Sequence, residues 1–523
     1  MSSVAAPLRN RVFLALWIAS VTSHVGTWMS ETGTTLVMTD LTSSPLVIAL
    51  VSASTSLALL LVSLPAGTLA DVVDRRKLLL ASQAGMTVVA VVYAYMAYTD
   101  MLTPGLLLAA TFAIGVGSAV SLPAWEASIP EIVGREHMAS ALTLDSIGIN
   151  VGRALGPATA GIVVALVGAW LVFLLDAVTF VALFVAVLAW KPAPVVRSAA
   201  PERFTAAIRG GARYVRHSPA FRAVLVRTAA FTLAASALWG LLGVRLRIGL
   251  GFESLTYGLI VGAFGAGAIL TAFVLPKLRR RYNADVLTLT STVLMAGLLV
   301  AIALLASPLA IGACMLVGGG AWIAQMSGLN VAAQFATASW VRGRALSMYA
   351  VVFQGSMFVG TTTWGSIASW WTTRLALLIA SGVLLAGMVL AIRYRLAPTE
   401  KMDLTPSMHW PRPQLALDAS QSDLPAFVTI EYEVDPSDHG AFMAAMQDVR
   451  RMRLRDGASS WGVFHEPETP RILMECFQVP SWTEHLRQHD RITKQDLASE
   501  ATVRRFHRGD SPPKIRHFVA PRT

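Results

Sequence analysis

Gly67-Thr68-Leu69-Ala70-Asp71-Val72-Val73-Asp74-Arg75-Arg76-Lys77 closes one apolar run and opens another. A glycine, two carboxylates and three bases between stretches long enough to cross a bilayer mark a tight loop at a membrane edge. Bases gather on the cytoplasmic side of membrane proteins, so Arg75, Arg76 and Lys77 also orient that loop. The pattern returns further on. Arg279-Arg280-Arg281 repeats this cluster, and Arg135, after the fourth apolar run, is matched by Arg342 after the tenth. Basic loops that recur at one spacing read as two similar halves.

A hydrocarbon core takes about 20 mostly apolar residues per helix. Windows of that length predict twelve spans at 12–37, 46–70, 78–98, 104–124, 138–166, 169–189, 221–244, 255–276, 286–306, 309–331, 344–369 and 374–394. Gly and polar residues interrupt the fifth and the tenth. The composition agrees, with 54% hydrophobic and 14% charged residues, where soluble chains carry about 25% charged. The formal net charge of +11 is confined to one region, because residues 424–523 hold 14 acidic and 14 basic side chains. All of it therefore lies in residues 1–423, mostly in loops flanking spans, which excludes nucleic acid as its meaning. Cys314 and Cys476 are too few for a disulfide framework or a thiolate metal site. Nothing in the pattern calls for a cofactor. The polar N-terminus lacks a cleavage pattern, so the first helix is expected to stay in the protein.

The expected fold is an all-α polytopic membrane protein of twelve transmembrane helices in a six-plus-six pseudo-repeat, with a small C-terminal α+β domain. Its divisions are 1–190 for the first half, 191–220 for a basic linker, 221–395 for the second half, 396–424 for a Pro-rich linker and 425–523 for the tail. In the basic linker, Phe204, Ile208, Ala212 and Val215 recur at helical spacing, predicting an amphipathic helix on the membrane surface. The tail alternates as a strand at 427–434, turns helical at 438–454, and gives strands at 460–465 and 472–479. Helices at 481–490 and 493–507 and a strand near 514–519 complete a ferredoxin-like β-α-β-β-α-β order.

Ionisable residues inside spans are costly and are functional candidates by default. His24, Trp28 and Glu31 share one face of the first span. Removal from water favours the neutral form of an ionisable group, so Glu31 and His24 are candidates to load and release a proton. The fifth span adds Asp145, Asn150 and Arg153, with Asp145 expected to pair with Arg153, or either with Glu31. Asp176, Gln325, Asn330, Gln334 and Gln354 are further polar candidates for a central cavity. Gly152, Gly156, Pro157 and Gly161, with Gly148 before them, predict a kinked packing face against a partner helix.

The loop from Gly67 through Asp71, Asp74, Arg75 and Arg76 resembles the loop signature of the major facilitator superfamily. It departs from it at Val72, where a base is usual, and at Asp74, where Gly is usual. Gly67 is expected to allow close helix approach, and Asp71 to cap a helix N-terminus or pair with Arg75 and Arg76. The stretch Gly152 to Gly161 resembles the antiporter motif of superfamily exporters, with Ala160 replacing one Gly. Thr111 stands where the superfamily's proton-coupling motif usually carries Arg. With Gly26-Thr27-Trp28-Met29, Thr42-Ser43-Ser44-Pro45 and Pro130-Glu131-Ile132-Val133, residues 10–395 resemble the transmembrane secretion effector group, which includes the enterobactin exporter. That resemblance implies efflux of a small molecule, such as a drug or siderophore, by proton antiport across the inner membrane; the basic loops lead to the expectation that both termini are cytoplasmic. The tail resembles antibiotic-biosynthesis-monooxygenase domains, which pair into dimers, and its helix with Trp482, Glu484, His485, Arg487, His489 and Arg491 is a candidate pocket wall. A membrane-anchored enzyme or sensor acting through the tail is the competing reading, which needs neither a pseudo-repeat nor intramembrane charges.

Overall fold

The computed structural model describes residues 5–191, 204–396, 403–407, 409–410 and 423–521. The predicted linkers at 191–220 and 396–424 therefore fall partly outside the described residues. Six long helices come first: α1 Arg11–Leu41, α2 Pro45–Val72, α3 Arg75–Tyr98, α4 Pro104–Val133, α5 Met138–Leu166 and α6 Ala169–Ala189. After α7, Phe204–His217, come α8 Pro219–Gly243, α9 Ser254–Arg281, α10 Ala284–Leu304, α11 Pro308–Phe335, α12 Arg342–Trp370 and α13 Thr373–Gly387, then a short α14 at Leu390–Arg393.

All twelve predicted spans are helices, and eleven are long and apolar enough to cross a membrane. The remaining one, α12, is longer than most but carries Ser347, Gln354, Ser356 and Thr361 to Thr363. Both α5 and α11 are unbroken, because in lipid neighbouring helices cover the backbone that glycine exposes. Side-chain caps explain several starts. Asn10 accepts from Val12 N at 3.0 Å to open α1, and Thr103 accepts from Leu106 N to open α4, whose first residue is Pro104.

The internal repeat is carried by matched elements. Helices α2 and α9 both have 28 residues, and α5 and α12 both have 29. A three-residue 3-10 turn precedes each of the latter, Arg135–His137 and Ser339–Val341. Asp74 caps α3 by accepting from Lys77 N at 3.1 Å, and Asn283 caps α10 by accepting from Val286 N at 2.8 Å.

Contacts gather into two compact units. The first comprises Met1–Pro201, Val226–Leu329 and Tyr349–Arg393 and holds most of the helical bundle. Its helices meet by backbone approach. A Cβ on Gly152 would lie 2.8 Å from His24 C, and one on Gly156 would lie 2.9 Å from Val25 O, so α5 rides directly on α1. Further along, α5 turns to α9: a Cβ on Gly258 would lie 2.5 Å from Pro157 O and 2.8 Å from Gly161 Cα. Pro157 lacks the N–H that would bond the Arg153 carbonyl, and Gly265 comes up against that same carbonyl. Around Gly67, expected to admit a neighbouring helix, no atom of the described residues comes within 4 Å of where a Cβ would lie.

The second unit comprises Glu202–Leu225, Asn330–Met348 and Tyr394–Thr523. Its sheet has β1 Ala426–Glu433, β2 Ser460–His465, β3 Ile472–Val479 and β4 Lys514–Val519, ordered β2-β3-β1-β4 with every pair antiparallel. Helices α15 His439–Asp456, α16 Trp482–Arg491 and α17 Lys494–Arg504 complete the ferredoxin-like order. Val428, Ile430, Phe477 and Val479 of the sheet pack with Phe442, Met446 and Val503 of the helices. Phe427, Phe464 and Phe518 lie on the opposite face, 41%, 62% and 50% exposed. Trp482, His485, His489 and Arg491 are buried, so α16 is largely an interior helix rather than a solvated one. Where described, the linker helix α7 also turns inward, with Tyr214 1% exposed against Phe221 and Trp340. Of the face expected on the lipid surface, Ala212 is exposed and Val215 half-buried, and the side chains of Phe204 and Ile208 lie outside the described residues.

Two outcomes follow. Gly258→Leu should destabilise the detergent-solubilised protein, since overpacking costs about 1–3 kcal/mol, whereas Gly297→Leu, with nothing within 4 Å of its Cβ, should be neutral or gain up to about 1 kcal/mol of helix propensity. Equal melting temperatures would remove the close approach as a structural requirement. In the tail, burial drives the His485 imidazole down to about 3. Although burial opposes it, Arg453, His409 and Trp410 hold the Glu500 carboxyl down at about 2. The unfolded chain takes protons at about 6.5 and 4.3, so stability is lost as pH falls through 6.5 towards 3 for His485 and through 4.3 towards 2 for Glu500. His485→Gln should lower the acid-unfolding midpoint, read by tail tryptophan fluorescence, by roughly half a pH unit. An unshifted midpoint would contradict this assignment.

Candidate functional site

Helix α1 carries its polar stripe into the bundle. Glu31 and Trp28 line a small cavity of about 20 Å³ with Thr35, Ser52, Trp239 and Tyr257, drawn from α1, α2, α8 and α9. Room for about one water remains there. The two halves are closed around it by aromatic rings: Trp28 lies 6.2 Å from Trp239, which stands edge-on to Phe264 at 5.2 Å and to Trp322 at 5.9 Å.

Arg153 connects this closed region to a larger one. Its guanidinium lies 5.1 Å from the centre of the Trp28 ring, a cation–π contact, and it is the electrostatic neighbour of Glu31. It also lines a cavity of about 370 Å³ with Ser146 and Asn150 of α5, Leu275 and Arg279 of α9, and Ile323 and Ser327 of α11. Arg279 donates to Ser327 Oγ at 2.8 Å. Asn150 donates to Ser146 O at 2.8 Å, and among the described residues its buried Oδ1 has no partner.

Asp145 does not pair with Arg153. It accepts from Trp125 Nε1 at 2.9 Å and is the electrostatic neighbour of His24 and Glu126. His24 in turn contacts Ser20 Oγ at 3.4 Å. Two clusters therefore stand where one broad face was expected: Glu31 with Arg153 and Trp28, and Asp145 with His24, Glu126 and Trp125. The eight-residue spacing of Asp145 and Arg153 spans more than two helical turns, far enough for each to find a partner on a different helix.

The remaining candidates fall elsewhere. Asp176 is fully buried where α6 crosses α1, close to Gly26, and its backbone oxygen accepts from Thr179 Oγ1 at 2.7 Å. Gln325 is 2% exposed beside Arg227 in a separate pocket of about 20 Å³, where Arg227 is ion-paired with Asp285 and donates to Thr288 Oγ1. Asn330 accepts from Gln334 within α11, and Gln354 is half-buried on α12 and lines none of these cavities. Glu126, Trp239, Trp322 and Tyr257 were not singled out from the sequence. A lone aromatic or carboxylate in an apolar run carries no local mark of its partner on another helix.

The loop after α2 also sorts its residues differently from expectation. Asp71 ends α2, and its side chain lies outside the described residues. Arg75 pairs with Glu131 and donates to Ala127 O at 2.9 Å, while Arg76 donates to Val187 O at 3.2 Å and Leu188 O at 2.6 Å. Arg75 thus braces the interior of α4, and Arg76 closes the C-terminus of α6, where the free carbonyls and the helix dipole favour a cation. On the other edge Arg245 and Arg374 do the same for α10 through Ala303 O, and Arg247 pairs with Asp40 at 2.8 Å. That last ion pair joins the end of α1 to the π-helical turn Val244–Ile248 after α8, one half to the other. Among the described residues, no group of three or more His, Cys, Asp or Glu side chains could hold a metal ion.

Comparison with known proteins places this arrangement. A family model described as transmembrane secretion effector matches residues 2–523. The staphyloferrin A transporter of Staphylococcus aureus is 27% identical over 170 residues, 32% of this chain and 42% of that protein, so the match spans under half of the relative. An uncharacterised MFS-type transporter of Bacillus subtilis, YfiS, is 27% identical over 299 residues, 55% of this chain and 69% of the relative. Among solved structures, the nucleoside transporter NupG is similar with a TM-score of 0.59 at 14% identity, covering 73% of this chain and 100% of that one. A bacterial homologue of the iron transporter ferroportin, in an inward-facing state, gives 0.57 at 14% identity, covering 73% and 98%. The likeness to these structures is one of fold. With twelve helices in two matched halves and a family model over nearly its whole length, the chain belongs to the transmembrane secretion effector family and is a multi-pass membrane transporter of the major facilitator superfamily.

Proposed function

We propose that the protein exports a small organic molecule across the cytoplasmic membrane by proton antiport, alternating access between its two halves. The observation that carries this reading is the position of Arg153. One guanidinium lines the roomy cavity and is the electrostatic neighbour of Glu31 at the closed, aromatic-walled end. A carboxyl that exchanges its proton there changes the field on the cavity wall, the kind of link that coupling of two sites requires. The glycine contact between α5 and α9 and the Asp40–Arg247 pair support a bundle shut on one side in this conformation.

The basic loops after α2, α4, α9 and α11 support a cytoplasmic location for both termini. The antiporter-like stretch from Gly152 to Gly161 supports export, and the staphyloferrin A transporter among the relatives supports a siderophore as one cargo class. Thr111 in place of the usual Arg leaves proton transfer to Glu31 and to the Asp145, Glu126 and His24 cluster. The outer face of the tail sheet, with Phe427, Phe464 and Phe518 exposed, is proposed to pair with a second copy of the tail. In this reading the tail serves transport and is not the active module of an enzyme.

Everted vesicles bearing the full chain should accumulate staphyloferrin A or the dye ethidium when a pH gradient is imposed, and Glu31→Gln should cut that uptake by about tenfold or more. Gradient-driven uptake equal in both proteins would remove Glu31 as the coupling residue. Failure of every such probe to exceed empty vesicles would count against export.

A further inference from the structure

The second unit joins three pieces of chain that the sequence keeps far apart. Helix α7 lies in the linker between the halves and leads through Ser218 into α8. The turn Ser339–Val341 leads directly into α12. The third piece is the tail.

Tyr214 fastens the first two together. Its hydroxyl donates to Ala336 O at 2.8 Å and accepts from Ala338 N at 3.2 Å, and its ring stands edge-on to Trp340. The tail holds both. Arg491 of α16 lies with its guanidinium 4.5 Å from the centre of the Trp340 ring, and Arg213 of α7 reaches Glu484 of α16 at 3.4 Å. Arg491 also donates to Glu484 Oε1 at 2.6 Å. The two arginines converge on the end of α15 as well. Arg213 donates to Arg455 O at 3.3 Å and Arg491 to Asp456 O at 2.7 Å, so the last carbonyls of that helix are capped by one base from the linker and one from the tail.

The anchorage behind this contact is rigid. Arg455 is gripped by Asp456 and Asp496, both at 2.7 Å, and Asp496 belongs to the capping box that starts α17. A surface contact made only of mobile side chains would lack such backing. The matched turn in the first half, Arg135–His137, belongs to the other unit.

We propose that the tail is a conformational clamp: through Arg491 on Trp340 and Glu484 on Arg213 it holds the α11–α12 turn and the inter-half linker in the arrangement seen here, and lowers the population of the alternative state. It rests on the alternating-access reading. In that reading α8 and α12 must shift as the halves rock, and both are covalent continuations of the clamped pieces. Arg213, Trp340, Glu484 and Arg491 act as positioning residues, since none of them lines the three cavities described above.

The test places spin labels at Ser146→Cys on α5 and Ala272→Cys on α9, both lining the larger cavity, in the full chain with Cys314→Ala and Cys476→Ser. Inter-label distances are read in lipid nanodiscs. Trp340→Leu and Arg213→Gln should each raise the population of a second, shorter distance about twofold or more, and Arg213→Lys should return it towards the parent. Monodisperse elution checks the fold, and Arg213, with a quarter of its side chain in solvent, carries the test if Trp340→Leu misfolds. Identical distance distributions in parent and variants overturn the clamp. They leave export standing, which the vesicle uptake of the Glu31→Gln protein decides separately.

Discussion

Two helices can touch backbone to backbone only where neither carries a side chain, and the bundle depends on that restriction. In lipid, packing apolar side chains against one another gains little over packing them against hydrocarbon tails. What remains is close contact, and polar groups that find each other. Helix α5 supplies both along one length. Its early glycines lie on α1, Gly161 lies on Gly258 of α9, and between them Arg153 faces the neighbourhood of Glu31 and Trp28. One helix therefore sets the contact within the first half, the contact between halves, and the position of the charge on the cavity wall.

Arginine has two uses here that look alike in sequence. Arg75 and Arg76 sit on one membrane edge and Arg245 and Arg374 on the other, yet all four donate to helix carbonyls, and Arg76, Arg245 and Arg374 do so at helix ends. The planar guanidinium, with several donors in one fork, suits this capping better than an ammonium would. A base in a loop thus marks topology and closes a helix at once. The bases on the far side have local partners too: Arg245 and Arg374 cap α10, and Arg247 holds Asp40.

Much of the fold was legible because spans and strands are written locally, as runs of 20 apolar residues or as alternation. The ferredoxin-like order followed from period alone, and the repeat followed from loops such as Arg135 and Arg342. The site was less legible. Glu31 and Arg153 were readable as costly charges in apolar runs, but the separation of Asp145 from Arg153 depended on Trp125 and Glu126 of α4, which no spacing along α5 reveals. Asp74 stands where the superfamily pattern has Gly, and proved to be the cap of α3. The burial of Tyr214 against Trp340 was hidden for the same reason, since its ring lies off the face of Ala212 and Val215 that the helical period marks.

The contact of Arg491 with Trp340 has a consequence that depends on its sharing one polypeptide. A single cation–π contact of about 0.5–2 kcal/mol would leave two separate molecules apart at cellular concentrations. Tethering changes the arithmetic, because groups carried by one polypeptide meet at an effective concentration set by the chain that joins them, not by the number of molecules in the cell. A weak contact can then be formed most of the time and still open quickly. Strength would be a disadvantage in the proposed clamp, which lets go as the halves rock, and the chain's own connectivity makes strength unnecessary.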